Sequence, residues 1–307
     1  MYEKLVIVTR RTRLADLVTR FNTRGQARFY IEHAGGDFSE YEREDDTYRH
    51  ALDEVRRAAD VGLKLQLLDR ELVPTYLFSA QDLVVTLGQD GLVANVAKYV
   101  GGQPIVAVNP DPARFDGILL PFLASDTRPA LLDVLDRRAK TVEITLAEAR
   151  LNDGQRLLGF NDLFIGAETH VSARYRLTVG GRSEPHSSSG LLVATGAGST
   201  GWLSSMFNMA AGVAVVAGGS PGTPLRLAWD DRRLVFVARE PFVSRHSRAD
   251  IVAGVLAAGE TLMLESTMPS GGVIFSDGVE ADRLAFNAGA IATVGVAPER
   301  ARLVVKP

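Results

Sequence analysis

Residues 82–100 read DLVVTLGQDGLVANVAKYV and join a short apolar run directly to a helical pattern. The first six residues are typical of a buried strand, and apolar residues then recur at the spacing of one helix face, at positions 92, 93, 96, 99 and 100. Between these elements lie Gly88, Gln89, Asp90 and Gly91, at the edge of a parallel sheet where ligands bind. A helix N-terminus suits phosphate, and a carboxylate there can hold Mg²⁺ or accept a proton. An ordinary Asp-Gly turn also explains these residues.

The segments around this stretch predict an N-terminal α/β domain over residues 1–139. Further strands are predicted at 5–9, 63–68 and 105–108, and helices at 48–62 and 128–139. Continuous apolar strands separated by helices are typical of a parallel sheet that is covered on both faces. We therefore expect a Rossmann-like parallel α/β domain that binds phosphate or a nucleotide.

The pattern changes in residues 140–307, where alternation of apolar and polar residues replaces continuous apolar runs. Residues 141–146 and 175–179 alternate, and Asn152-Asp153-Gly154 is a hairpin turn signal. More strands are predicted at 234–238, 261–265 and 273–275, with one helix at 202–212. This predicts a C-terminal antiparallel β-rich domain, whose last roughly 20 residues are expected to return to the first domain.

The composition limits the possible functions. Of 307 residues, 46% are hydrophobic and 23% charged, which indicates a folded, soluble protein. The net charge of −3, without a basic block, gives no indication of nucleic acid or membrane partners. The absence of cysteine excludes disulfides, iron–sulfur sites and a cysteine nucleophile. Only five of the 34 cationic residues are lysines, a bias that we attribute to genome composition. No signal peptide or membrane span is recognised, so a cytoplasmic location is expected.

Two further segments have residues that suit a nucleotide. In residues 191–202, LLVATGAGSTGW, three glycines satisfy the GxGxxG spacing of a dinucleotide site. Hairpin strands precede it and no acid follows at the usual distance, which argues against a Rossmann dehydrogenase. Ser199 and Thr200 suit either a nucleotide or a tight turn, and Trp202 suits either a base or the core. Asn161 and Asp162 can bind a sugar diol together only if the backbone there is irregular.

The order of these segments resembles the NAD kinase family, particularly its mitochondrial-type members. The GQDGL segment at 88–92 stands where that family has Gly-Gly-Asp-Gly-Thr, a loop shared with diacylglycerol-type lipid kinases and phosphofructokinases. The matching segments then follow in the family's order: PIVAVNPDPARFDGILLPF at 104–122, FNDLFIG at 160–166, SSSGLLVATGAGSTGW at 187–202, REPFVSR at 239–245, VIFSDG at 273–278 and FNAGAIATV at 286–294. The resemblance covers nearly the whole chain.

This resemblance implies phosphorylation of the 2′-hydroxyl of the NAD adenosine ribose by ATP or polyphosphate, with Mg²⁺. Asp90 would be the general base and the metal-side carboxylate. The other implied roles are donor phosphate binding by Gly88, Gln89 and Gly91, ribose binding by Asn161 and Asp162, and lining of the dinucleotide by Gly198, Ser199, Thr200 and Trp202. Family members have an α/β domain and a β domain with the site in the cleft between them, and they form homodimers or larger assemblies.

Three residues depart from the family pattern. Gln89 replaces a glycine, and a positive φ at that position would cost about 1–2 kcal/mol. Leu92 replaces a threonine and removes a hydroxyl, and Asp162 replaces a glutamate and is one methylene shorter. Two alternatives to an active NAD kinase therefore stay open. One is a catalytically silent homologue that binds NAD or ATP, and the other is a kinase for a lipid or sugar hydroxyl, which only the shared loop favours.

Overall fold

The computed structural model describes residues 2–306. Their contacts divide the chain into two compact units, residues 2–142 with 302–306, and residues 143–301. Within the described range, the structure contains no helix of sufficient length and apolarity to span a membrane.

The first unit is built on a parallel sheet. Its strands are β1 (Lys4–Thr9), β2 (Lys64–Asp69), β3 (Asp82–Leu87), β4 (Pro104–Asn109) and the short β5 (Phe122–Leu123). Its helices are α1 (Arg13–Phe21), α2 (Arg24–His33), α3 (Phe38–Ala58), α4 (Asp90–Ala97) and α5 (Thr127–Leu135), with 3-10 helices at Arg70–Thr75 and Ala124–Asp126. The strand order is β2-β1-β3-β4, all parallel, and β5 pairs with the end of β4.

Burial explains why this sheet was predictable. Every residue of β3 and β4 is buried, as expected for central strands that are covered on both faces. Helices α3 and α5 contribute to the core cluster that packs against these strands. The helix predicted from residue 48 in fact begins at Phe38, and α1 and α2 were not predicted. Side chains of Thr12, Thr23 and Asp37 accept backbone hydrogen bonds at the starts of α1, α2 and α3.

The second unit consists mainly of antiparallel strands. They are β6 (Lys140–Leu151), β7 (Arg156–Gly159), β8 (Asp162–Ala167), β9 (Ala173–Val179), β10 (Arg182–Ser188), β11 (Leu191–Ala194), β12 (Leu234–Ala238), β13 (Ala253–Leu256), β14 (Thr261–Ser266), β15 (Gly272–Ser276), β16 (Val279–Ala285) and β17 (Ile291–Val305). A 3-10 helix at Ala197–Thr200 precedes helix α6 (Trp202–Val216). Residues Arg302 and Leu303, at the end of β17, belong to the first unit and pair there with β4.

Two sheets form a sandwich in this second unit. One contains β10-β9-β14-β17 with β6 and β7, and the other has the order β13-β12-β11-β8-β15-β16. Alternate residues of β9 and β14 are buried, and they share one hydrophobic cluster with residues of the second sheet. On the opposite face of that sheet, Leu203 and Met206 of α6 pack against residues of β11 and β12. The predicted combination of a parallel α/β part and an antiparallel β-rich part is confirmed.

Candidate functional site

The turn after β3 consists of Gly88 and Gln89, and α4 begins directly at Asp90. A Cβ atom on Gly88 would lie 2.7 Å from Leu92 Cδ2, so a larger residue here would require the leucine side chain to shift. Gln89 is exposed and has φ −94° and ψ 168°, an extended backbone that any residue can adopt. The strain considered for a glutamine at this position therefore does not arise.

Asp90 lies in the first turn of α4, and a neighbouring loop fixes its side chain. Its Oδ1 accepts a 2.6 Å hydrogen bond from the backbone N–H of Leu119. Asn109, the last residue of β4, shapes the loop that carries Leu119. Asn109 Oδ1 accepts from Asp111 N at 3.0 Å, and its Nδ2 donates to Phe115 O at 3.0 Å. Sequence reasoning gave Asn109 no role, although an amide directly after a buried strand was a usable signal.

The residues around Asp90 fit a magnesium ion that is shared with a substrate. Mg²⁺ is usually held by one or two carboxylates together with substrate phosphates. Because only Oδ1 of Asp90 is engaged within its unit, Oδ2 remains available. Residues 2–306 contain no group of three or more His, Asp or Glu side chains that could hold a metal ion. An ion at this turn would therefore take Asp90 and phosphate oxygens as its ligands.

Glu44 of α3 is a buried carboxylate with three arginine partners. Its oxygens lie 2.5 Å from Arg13 Nε, 3.1 Å from Arg10 Nη2 and 3.4 Å from Arg114 Nη1. Burial acts to raise the pKa of Glu44, but hydrogen bonds from Arg13 and Arg10 outweigh it and hold the pKa below its ordinary value of 4.5. The arginine bias, attributed to genome composition, does not indicate this group, because Glu44 and Arg114 lie far along the chain from Arg10 and Arg13.

In the second unit, three consecutive backbone N–H groups donate to one carboxylate. Asp277 accepts from Phe160 at 3.0 Å, from Asn161 at 2.6 Å and from Asp162 at 3.3 Å. Asp277 has φ 55° and forms, with Gly278, the turn between β15 and β16. Its carboxylate satisfies the N–H groups of an irregular segment between β7 and β8. Asn161 and Asp162 can bind one ligand together only on an irregular backbone, and this segment is irregular. The contribution of Asp277 was not predicted.

The glycines of the GxGxxG segment allow close backbone approach. A Cβ atom on Gly196 would lie 1.8 Å from the carbonyl oxygen of Ala228, and one on Gly198 would lie 2.0 Å from that of Asn161. The strand before the segment, β11, pairs antiparallel on both sides. The segment is therefore not the first turn of a Rossmann unit, as its flanking hairpin strands indicated. Instead it packs directly onto the Asn161 turn.

The hydroxyl residues of this segment differ in their availability. Ser199 is buried, and its Oγ donates to Thr195 O at 3.4 Å and accepts from Leu227 N at 3.2 Å. Thr200 is exposed at the end of the 3-10 helix. The Ser199 hydroxyl thus serves the turn itself, whereas Thr200 is accessible to a ligand.

Trp202 packs against other aromatic side chains and also lines a cavity. Its ring stacks on Phe164 with centroids 5.6 Å apart, and Phe164 stacks in turn on Phe275 at 4.8 Å. The Arg239 guanidinium lies 5.2 Å from the Trp202 ring centroid. This aromatic group lines a cavity of about 530 Å³ in the second unit. The cavity lining also includes Glu168, His170, Glu280 and Arg283.

Each unit therefore assembles its own set of predicted residues. The first brings Gly88, Gln89, Asp90 and Gly91 into one turn. The second brings Asn161 and Gly198 into direct contact, with Asp162 and Ser199 buried beside them and Thr200 and Trp202 following.

The sequence matches no protein-family model and no curated protein, but solved structures share the fold. Yeast NADH kinase in complex with NADH superposes with a TM-score of 0.58 at 18% identity, covering 100% of this chain and 84% of that one. An NAD kinase from Archaeoglobus fulgidus in complex with ATP has a TM-score of 0.53 at 15% identity, covering 98% of this chain and 93% of that one. The chain has the fold of NAD kinases.

We expect Gly198→Ala to destabilise the second unit, because the added methyl group would overlap the Asn161 carbonyl. Overpacking of this kind costs about 1–3 kcal/mol, and a clash with backbone lies at the upper end. Chemical denaturation measures the loss. Gly212→Ala in α6 is the matched control, since among residues 2–306 no atom apart from its neighbours and the backbone of its own helix lies within 4 Å of the added methyl group. Equal stability of the two variants would contradict the close packing.

We expect Glu44→Gln to lower the free energy of unfolding above pH 5, and we expect this loss of stability to be smaller at acidic pH. Breaking a buried ion pair costs about 3–5 kcal/mol, and the 41% exposure of Arg13 points to the lower end. Because the folded-state pKa is depressed, the contribution is fully present above the ordinary pKa of 4.5 and is lost as the pH falls through the folded-state pKa.

Thermal unfolding of Glu44→Gln and wild type between pH 7 and pH 3.5 checks this dependence. Glu40→Gln, at an exposed position of the same helix, is the control. A stability difference between Glu44→Gln and wild type that is the same at every pH would show that the charge of Glu44 is not responsible.

Proposed function

We propose that this protein is an NAD kinase, which transfers a phosphoryl group from ATP or polyphosphate to the 2′-hydroxyl of the NAD adenosine ribose. The observation that carries the proposal is the position of Asp90. It begins a helix at the carboxyl end of a buried parallel strand, with one oxygen bound and the other available. The fold shared with kinases crystallised with NADH and with ATP supports the same function.

The proposed roles follow from this arrangement. The turn of Gly88, Gln89 and Gly91 approaches the donor phosphates. The N–H groups of Gln89 and Gly91 are the proposed donors, because the N–H of Gly88 donates to Val108 O at 3.3 Å. Asn161 and Asp162 hold ribose hydroxyls. Gly198, Ser199, Thr200 and Trp202 line the dinucleotide, Ser199 through its backbone since its hydroxyl is engaged.

In the reaction, the 2′-oxygen of the ribose forms a bond to the terminal phosphorus of the donor. The bond from that phosphorus to the bridging oxygen breaks, and with ATP the leaving group is ADP. Asp90 accepts the proton of the hydroxyl. Mg²⁺, held by Asp90 and the donor phosphates, would neutralise phosphate charge. The remaining work of the protein is alignment, so no nucleophilic side chain is needed.

The exposed surface of α6 supports the proposal that the protein forms homodimers or larger assemblies. Val213, Val215 and Val216 are each more than half exposed at the end of this helix. Light scattering of the purified protein measures the oligomeric state.

We expect purified protein to form NADP from NAD and ATP in the presence of Mg²⁺, and Asp90→Asn to lower the rate by about 10²–10⁴-fold. The amide keeps the size of the side chain but cannot accept the proton. Asp53→Asn, at an exposed position of α3, is the control for purification and folding, and activity that remains in Asp90→Asn exposes a contaminating kinase. NADP formation is measured with an NADP-specific coupled dehydrogenase. Equal rates for Asp90→Asn and wild type would contradict the role of Asp90.

The same preparation distinguishes the alternatives. A protein that binds NAD or ATP but forms no NADP with either ATP or polyphosphate as the donor would be a catalytically silent homologue. Phosphorylation of a lipid or sugar hydroxyl, with NAD left unchanged, would identify a lipid or sugar kinase. Parallel reactions with NADH in place of NAD determine which form is preferred.

A further inference from the structure

The arginine cluster, defined as Arg10, Arg13 and Arg114 around Glu44, carries more positive charge than its own carboxylate neutralises. Three guanidinium groups share one buried acid. Further acids of the region have arginine partners of their own. Asp45 pairs with Arg49 at 2.8 Å, and Glu71 pairs with Arg11 at 3.4 Å. Within the cluster itself, three guanidinium groups and one carboxylate leave an excess of about two positive charges, and burial of Glu44 and most of Arg10 reduces screening by water and salt.

The cluster also has hydrogen-bond donors that no protein atom uses. Each guanidinium has five N–H donors. Arg10 bonds Glu44 through Nη2 and the Arg11 carbonyl through Nη1, but its Nε is buried without a partner among residues 2–306. Arg13 Nη2 is likewise buried and unpartnered in this part of the chain. Buried donors of this kind are costly unless an acceptor is supplied, which points to an anionic ligand.

The position of the cluster connects it to the turn that carries Asp90. Arg10 Cδ lies 3.6 Å from the place of a Cβ atom on Gly88. The Tyr48 hydroxyl accepts from Arg10 N at 2.9 Å and donates to Leu87 O at 3.0 Å, so it joins the ends of β1 and β3. Burial raises the pKa of Tyr48 to about 12, which keeps this hydroxyl a donor.

Arg114 approaches the same region from the loop after β4. The ring of Phe115 lies 5.9 Å from the guanidinium carbons of both Arg10 and Arg114. This loop continues to Leu119, whose N–H holds Asp90. The cluster and the Asp90 turn thus share one edge of the parallel sheet.

We propose that Arg10 and Arg114 bind the phosphate chain of the phosphoryl donor, with Glu44 as the residue that orients them. This inference rests on the function proposed above. The planar fork of a guanidinium matches two phosphate oxygens at once, which an ammonium group cannot do. Since the cluster offers only charge and N–H donors, it recognises the phosphate chain rather than the base. A linear triphosphate without a nucleoside should therefore bind.

The test is calorimetric titration of the full-length protein with sodium tripolyphosphate. Arg10→Gln and Arg114→Gln are each expected to raise the Kd at least tenfold. Arg138→Gln, an exposed arginine paired with Asp133 and Asp136, is the control and should leave the Kd unchanged. Arg114 is about one-third exposed, so Arg114→Gln provides a folded variant if Arg10→Gln proves unstable. A Kd within twofold of wild type for the folded cluster variants would overturn the proposal.

Kinetics separates donor binding from a merely structural role. The same variants should raise the KM for ATP at least tenfold while the KM for NAD stays within twofold, and Arg10→Lys should restore only part of the loss. A parallel rise in both KM values, with unchanged tripolyphosphate binding, would overturn the assignment. If the wild type forms no NADP but the cluster variants still bind tripolyphosphate more weakly than the wild type, the proposed anion site is supported and the kinase proposal is wrong.

Discussion

The constraint on which the first unit depends is the complete burial of its central strands. With every residue of β3 and β4 inside, polar groups can meet a ligand only where the strands end. At that edge the chain places Arg10 after β1, Asp90 after β3 and Asn109 at the end of β4. Arg10 is bonded to Tyr48 of α3, and Asp90 and Asn109 are bonded to the loop after β4, so hydrogen bonds to a helix and to this loop fix the geometry of the edge.

In the second unit, the carboxylate of Asp277 stabilises an irregular segment of backbone. A segment that leaves a strand ladder must satisfy its backbone N–H groups elsewhere. Asp277 does this for three successive residues, which lets the Asn161 turn depart from the ladder before β8 begins. Gly198 then packs against the carbonyl side of the same turn. Asp277 and Gly198 therefore both contact the backbone that carries the polar side chains proposed to bind ribose.

Sequence reasoning succeeded where local patterns determine structure. The bounds predicted for β3 and β12 are those observed, since each is a continuous apolar run ending in polar residues. The helices α1 and α2 were not predicted, because each is short and has one buried residue, too few to form a periodic apolar pattern. Sequence reasoning also missed Asp277 and Glu44, whose partners lie up to 117 residues away along the chain. A carboxylate that serves distant backbone or arginine groups has no local signature.

The departures at Gln89 and Leu92 are best understood together. Leu92 is buried and its Cδ2 occupies the space next to Gly88, so the leucine fills volume beneath the turn. Gln89 is exposed and extended, so its side chain imposes no strain on the backbone of that turn. Asp90 is held by Leu119 N, a contact that involves neither Gln89 nor Leu92. A turn that binds phosphate through backbone N–H groups depends on conformation more than on side-chain identity. Under the proposed function, the leucine in place of a threonine removes one hydroxyl contact to the donor phosphates, and the arginine cluster supplies positive charge to the same proposed site.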